Sequence, residues 1–291
     1  MRFSIVTPSF RNSNWLKLCV ASVHDQGVSL EHIVQDAGSD DGTLEWLRPD
    51  RRVRAFVEKD SGMYDAVNRG LRKAGGEILA YLNCDEQYLP GALAAVSDWF
   101  ERHPDADVLF GDFLVVDEKG RFICYRKVQL PTKYHLMVSH LTTFTCATFF
   151  RSRLIQKGGF FFDTSWKAAG DAAWVLGLLE AKVKMGLLGQ FASVFVDRGG
   201  NLGPVPGAAR ERRRMFESAP WLARKLSFGL VWVHRVKRLL GGIYHQKPFD
   251  YSIYTLESPA RRVVHQVSNP TFLWKSRLQS VPSDAVLADD K

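Results

Sequence analysis

Four apolar runs in the first third of the chain each end in residues able to do chemistry. Thr7-Pro8-Ser9 follow Phe3–Val6, Asp36 follows His32–Gln35, Glu58-Lys59-Asp60 follow Val53–Val57, and Asn83-Cys84-Asp85-Glu86 follow Ile78–Leu82. Asp85 and Glu86 pose the sharpest question. Adjacent carboxylates at the mouth of a buried run repel each other, so a cation, a hydrogen-bond network or water has to offset the charge. Asp36 leaves its run six residues before Gly42, where the next helical stretch begins. That is too early to cap the helix, which leaves Asp36 as an acceptor for a base N–H or a ribose hydroxyl. Asp40 and Asp41, in the same segment, suit the helix start itself. Asp65, Asn68 and Arg69 stand at i, i+3 and i+4 and share one helix face. There Asp65 either pairs with Arg69 at the surface or turns towards a ligand.

The elements between these clusters alternate. Strands are expected at Phe3–Thr7, His32–Gln35, Val53–Val57 and Ile78–Leu82, with helices at Asn14–Gln26, Gly42–Leu47, Gly62–Ala74 and Pro90–Arg102. Short loops between such elements imply right-handed crossovers and a parallel sheet, an α/β fold with helices on its faces. Every strand of a parallel sheet finishes on the same edge, where ligands bind. The four clusters therefore converge on one crevice. Beyond Asp107 come a hairpin, Val108–Val116 and Arg121–Val128, a helix at Ala168–Ala181 and a strand at Leu187–Val196. The paired acids Asp105 and Asp107 immediately precede a strand, which puts them on the opposite edge and makes them a decoy.

Composition narrows the classes. At 291 residues and 46% hydrophobic, the chain suffices for one large domain or one domain with an appendage. Neither GxGxxG nor GxxxxGK[ST] follows the first strand; Thr7-Pro8-Ser9-Phe10 stands there, against a Rossmann oxidoreductase or a P-loop phosphotransferase. No leader is recognisable, and no run reaches the roughly 18 apolar residues of a membrane span, so a cytoplasmic enzyme is expected. Cys19, Cys84, Cys124 and Cys146 show no metal-ligand spacing and are expected as reduced thiols, and the histidines, His140 among them, as structural groups.

Four longer segments make the chain resemble a family 2 glycosyltransferase. They are SIVTPSFRN (Ser4–Asn12), VQDAGSDDGT (Val34–Thr43), DSGMYDAVNRGLRKAGGEILAYLNCDEQY (Asp60–Tyr88) and FGDF (Phe110–Phe113). Weaker matches lie at Ala147–Phe160 and Lys167–Lys182, so that the resemblance covers about residues 1–200. It implies an inverting enzyme of the GT-A fold, with a Rossmann-like, mixed but mainly parallel sheet, that uses a nucleotide-diphosphate sugar, a UDP-sugar for preference. It implies that Thr7, Pro8 and Ser9 with Asp36 hold the base and that Asp65 lies near the nucleoside. Asn83 and Cys84 would lie beside the donor sugar, and Asp85 would hold a divalent cation, Mn²⁺ or Mg²⁺. Asp171, at the start of its helix, would be the general base; an N-cap is its plainer role. Arg198 would reach the diphosphate or remain a surface arginine. The chain departs from the pattern at Asn83, where many relatives carry an acid, and at Cys84, too soft a ligand for either ion. A weak metal requirement is expected, and a degenerate domain that binds nucleotide or a membrane partner without catalysis is the alternative. The implied setting is bacterial surface polysaccharide biosynthesis, lipopolysaccharide included, on a glycan or lipid-linked acceptor.

The charge points to the other end of the chain. Residues 206–291 hold 15 basic and 7 acidic side chains, whereas the rest is balanced at 24 of each. Domains are accordingly expected at 1–205, the GT-A unit, and 206–291, a basic and mainly helical C-terminal extension. Apolar positions recur at helical spacing over Trp221–Leu240, among basic residues. Such a helix either packs on the first domain or anchors the enzyme to anionic lipid, peripherally on the cytoplasmic face of the inner membrane. No nucleic-acid motif is present, and the aromatics do not interleave with the basic residues as a stacking platform requires, so no nucleic-acid partner is expected.

Overall fold

The computed structural model describes residues 1–199 and 207–274. Its first part alternates as the sequence pattern predicts: β1 (Phe3–Ser9), α1 (Ser13–His24), β2 (Leu30–Asp36), α2 (Thr43–Leu47), β3 (Arg54–Val57), α3 (Met63–Lys73) and β4 (Ile78–Tyr81). A short β5 (Gln87–Tyr88) and α4 (Ala92–Arg102) follow. Then come the hairpin β6 (Val108–Asp117) and β7 (Phe122–Arg126), α5 (Lys133–Val138), β8 (Thr148–Arg151), α6 (Arg153–Gln156), α7 (Gly170–Glu180) and β9 (Met185–Asp197). The C-terminal part holds α8 (Ala208–Glu217), α9 (Trp221–Lys225), α10 (Ser227–Leu240), β10 (Phe249–Thr255) and β11 (Ser258–Val267).

Among the described residues nine strands form one sheet in the order β3-β2-β1-β4-β8-β6-β9-β5, with β7 paired to β6. β1, β2, β3 and β4 are mutually parallel. β8 runs against both β4 and β6, which turns β6 back into the direction of β1, and β9 is parallel to β6. Six strands therefore share one direction, and their C-terminal ends meet on one edge. The insertion of β8 was not foreseen. Its four residues, Thr-Phe-Phe-Arg, are too few for a periodic signal. α3 lies tightly on β1 because residue 70 is glycine; a Cβ there would stand 2.3 Å from Val6. Asp105 and Asp107 lie just before β6, paired with Lys184 and Arg153 on the edge away from the crevice.

Three helices, α8 to α10, lie in the stretch expected to form a helical extension. The single helix expected over Trp221–Leu240 breaks at Leu226, where the backbone leaves helical values (φ −94°, ψ 14°). The expected boundary at 205/206 falls outside the described residues. The hairpin β10–β11 was not anticipated, although Tyr251, Ile253 and Thr255 point inward at the period of two that marks a half-buried strand. Tyr251, Ile253 and Val267 complete an apolar cluster with Trp15, Leu114, Val116 and Val194 of the main body. Polar ties hold the hairpin in register. The Gln87 amide donates to the Tyr254 carbonyl (2.8 Å) and accepts from the Tyr254 N–H (2.9 Å). Arg262 forks onto Asp25 (2.6 and 2.8 Å) and also donates to the carbonyls of Tyr88 and Ser252.

Arg262 is mostly buried, so its removal takes a donor from the Tyr88 and Ser252 carbonyls and the charged partner from Asp25, which keeps only the Tyr254 hydroxyl across the hairpin. Arg262→Ala should lower the unfolding free energy by about 2 kcal/mol, read from urea denaturation, and should speed proteolysis within the hairpin. An unchanged midpoint would mean that the hairpin is held by its apolar face alone.

Candidate functional site

The shared edge carries the ends of β1, β2, β4, β6 and β9, and on it the structure brings Asp85 and Arg198 together. Asp197 is fixed at the end of β9, its carboxylate accepting from Trp274 Nε1 (2.9 Å) and the Gly199 N–H (3.0 Å). The next residue, Arg198, reaches Asp85 (3.6 Å) and Glu118 (3.7 Å) and lies over the Trp15 ring at 5.3 Å. Its guanidinium also approaches Asn12 Oδ1 at 3.4 Å. The Asn12 amide in turn donates to Cys84 Sγ at 3.0 Å, tying the end of β1 to the acidic loop after β4. Asn12 and Glu118 were not singled out from the sequence. Asn12 closes the first quoted segment, and Glu118 sits in a turn that reads only as a hairpin connection.

The question posed by two adjacent carboxylates has a specific answer. Asp85 faces the cationic Arg198, whereas Glu86 is buried beneath the loop, its oxygens accepting from the Asn83 N–H (2.9 Å) and side-chain amide (3.2 Å). Burial first, and then the neighbouring Asp85, push the Glu86 carboxyl up to about 8. Near neutral pH the loop carries one negative charge instead of two. The Cys84 thiol is driven up to about 12, mainly by burial, and stays protonated.

A divalent cation would therefore find one carboxylate, Asp85. Glu86 is turned inward, Cys84 is a neutral thiol, and among the described residues no three His, Cys, Asp or Glu side chains converge. That set fits an ion that keeps most of its shell from phosphate oxygens and water and takes one or two protein carboxylates. It does not fit a cage built by the protein alone.

The residues assigned to the base differ among themselves. The Thr7 hydroxyl is turned into the body, 2.9 Å from His32 Nε2, so its side chain does not line the crevice. Pro8 is buried, and Ser9 Oγ is buried with no hydrogen-bond partner among the described residues. Phe10, 54% exposed at the strand end, presents a ring face with Arg11 stacked 5.1 Å from its centroid. Asp36 is fully buried and shapes its own loop. It accepts from the Gly38 and Ser39 N–H groups (2.9 and 2.7 Å) and the Ser39 hydroxyl (2.8 Å). Asp65 is paired with Arg69 (3.0 Å) and bonded to Ser61, and the Arg69 bond holds its carboxyl below the usual range.

Asp171 stands in the first turn of α7, where an anionic side chain suits the helix dipole. Its N–H donates to the Tyr64 hydroxyl of α3 (3.1 Å), and it borders a narrow cavity that Tyr81, the last residue of β4, also lines. Gly170 is required beside it, because a Cβ there would come within 2.5 Å of the Tyr64 ring. The approach to α7 is clamped from the C-terminal part. Glu211 accepts from three successive N–H groups, Lys167 (2.7 Å), Ala168 (2.9 Å) and Ala169 (2.9 Å). Burial raises the Glu211 carboxyl, but those three donors outweigh it and leave it below its ordinary value. Tyr64 and Glu211 were missed because each acts across long sequence distances, and Glu211 is hidden within a run of arginines.

Glu86 gives a pH signature. Its folded pKa of about 8 lies above the ordinary 4.5, so the folded chain keeps a proton that the unfolded chain releases. That contribution is complete below the unfolded value and is lost as pH rises through about 8. Glu86→Gln has no proton to lose. Its melting temperature should gain on the parent's as pH rises towards 9, by at least about 2–4 °C. Parallel melting curves across that range would show Glu86 already ionised.

The family model described as Glycosyl transferase family 2 matches residues 4–156. A PGL/p-HBAD biosynthesis glycosyltransferase of Mycobacterium bovis is 32% identical over 120 residues, 39% of this chain and 47% of the relative. The match thus spans about half the length of that relative. An uncharacterized glycosyltransferase of Mycobacterium tuberculosis is 28% identical over 187 residues, 60% of this chain and 67% of the relative. Staphylococcus aureus TarS 1-349, solved with UDP-GlcNAc, superposes with a TM-score of 0.58 at 17% identity, covering 83% of this chain and 75% of that one. The mannosyltransferase PcManGT of Pyrobaculum calidifontis, solved with GDP-Man and Mn²⁺, gives 0.52 at 19% identity, covering 72% and 60%. At these identities the solved structures establish the shared GT-A fold. With its matched segment covering more than half of its length, the chain belongs to glycosyl transferase family 2.

Proposed function

We propose that the chain is an inverting glycosyltransferase that moves a sugar from a nucleoside diphosphate donor, a UDP-sugar for preference, to a hydroxyl of a glycan or lipid-linked acceptor. The observation that carries this reading is the pairing of Asp85 with Arg198 on the edge where six strands end. A pyrophosphate needs a cationic partner there, and Arg198, spread between Asp85 and Glu118, presents its guanidinium at that edge. The base is received by Pro8, Ser9 and the exposed ring of Phe10. Asp36 acts by holding the loop at Gly38 and Ser39 in place, and Asp65 by holding Arg69 beside the nucleoside.

Asp171 is the general base. It takes the proton of the acceptor hydroxyl as that oxygen attacks the anomeric carbon. The bond from that carbon to the phosphate oxygen breaks, and the nucleoside diphosphate leaves from the opposite face with the bonding pair. Attack from the face opposite the leaving group inverts the centre. Tyr64 and Glu211 keep the head of α7 in place, so that Asp171 need not reorganise during the reaction. Asp85 would hold a divalent cation, whose contribution when bound is to neutralise charge on the departing diphosphate. The TarS neighbour solved with UDP-GlcNAc supports a nucleotide-sugar donor of this kind. Bacterial surface polysaccharide assembly is the setting we assign.

Asp171→Asn should reduce transfer by about 10²–10⁴-fold while calorimetric affinity for UDP changes little; full activity in that variant would remove Asp171 as the base. Glu211→Gln should lower kcat and leave the donor KM nearly unchanged, because it loosens the base without touching the nucleotide. A panel of nucleotide sugars screened for slow hydrolysis identifies the donor. If none is hydrolysed and none binds, the transferase reading fails.

A further inference from the structure

A helix packed on a globular body in water turns its apolar side inward. α10 does the reverse. The side chains it buries include His234 and Arg238, at 8% and 7% exposed, whereas Phe228 is 83%, Trp232 60% and Leu239 67% exposed. Contacts on the inner side fix this orientation. His234 stacks on His135 of α5 at 3.9 Å, and Arg238 lies over the Phe272 ring at 5.4 Å. The preceding helix α9 also leaves Trp221 and Leu222 more than half exposed.

The charge around the face selects the kind of covering. From Trp221 to Leu240 the sequence contains five basic residues and no acidic one, and Lys225, Arg235 and Lys237 are exposed. Tryptophans at the rim of an apolar face, flanked by Lys and Arg, suit the depth of lipid headgroups. Among the described residues no helix is long and apolar enough to cross a membrane, so α10 would lie along a surface and not across it.

We propose that α9 and α10 dock this face into an anionic bilayer, with Phe228, Trp232 and Leu239 at the acyl boundary and Lys225 and Arg235 against the lipid phosphates. Docking is independent of the transfer chemistry. The test is co-sedimentation of the full chain with vesicles of phosphatidylcholine alone and of equal parts phosphatidylcholine and phosphatidylglycerol. The chain should partition onto the anionic vesicles and weaken as salt rises. Phe228→Ser/Trp232→Ser/Leu239→Ser should cut partitioning by about tenfold or more. Each of Lys225→Ala and Arg235→Ala should cut it by about fivefold, with circular dichroism unchanged throughout. No sedimentation with anionic vesicles, or sedimentation equal in parent and triple variant, would overturn the proposal. So would a concentration-dependent dimer that the triple variant dissolves while vesicle binding is absent. Because the readout is lipid partition, its failure would leave the donor-hydrolysis test untouched.

Discussion

Strands that run in one direction deliver their ends to one edge, and each end leaves backbone and side-chain polarity there that the apolar interior cannot accept. In this protein six strands obey that constraint although β8 runs against its neighbours, because two antiparallel pairings in succession restore the original direction. Ser9, Asp36, the loop after β4, Asp117-Glu118 and Asp197-Arg198 are therefore neighbours for a reason that precedes any ligand. The crevice and its mixed charge follow from the sheet, and the helices serve mainly to keep its backbone dry.

Charge at that edge is arranged with economy. Two adjacent carboxylates and a cysteine could have made a strongly anionic loop, hostile to a diphosphate. Burial and then the neighbouring Asp85 leave Glu86 neutral near pH 7, although the two Asn83 donors pull the other way, and Arg198 answers the remaining charge on Asp85. The asparagine that departs from the family pattern is then no defect: its N–H and amide are what hold the buried carboxyl. An acid at position 83 would lose the side-chain donor and set a second carboxyl 3.2 Å from Glu86 Oε1, so the departure and the buried acid belong together.

Much of the sheet could be read from the sequence because each strand and helix of the first part carries its own period and its own stop signals, as Gly75-Gly76 do after α3. What escaped was set by distance. β8 is four residues long and finds its place only between β4 and β6. Thr7 could not be oriented in advance, since β1 is buried on both faces and alternation gives no clue to which way a hydroxyl points. Asp36 and Asp85 were recognisable as strand-end acids. That Asp36 would spend its bonds on its own loop, and Asp85 on an arginine far along the chain, required the fold.

The C-terminal part is no loose appendage, and its contacts explain why sequence composition misled there. Glu211 reads as one acid among arginines, yet it satisfies three N–H groups ahead of α7 that would otherwise lack partners. Tyr251, Ile253 and Val267 close an apolar cluster that Trp15 and Val194 could not close alone. Excess positive charge was the loudest feature of this stretch, but the body is held by one acid, Glu211, one buried arginine, Arg262, and the inward strand positions. The basic and apolar side chains left facing outward on α9 and α10 are those for which the body has no use. Among the described residues that surface serves neither the core nor the crevice, and it exposes large rings without an acid among them, which is why a bilayer is the partner we propose for it.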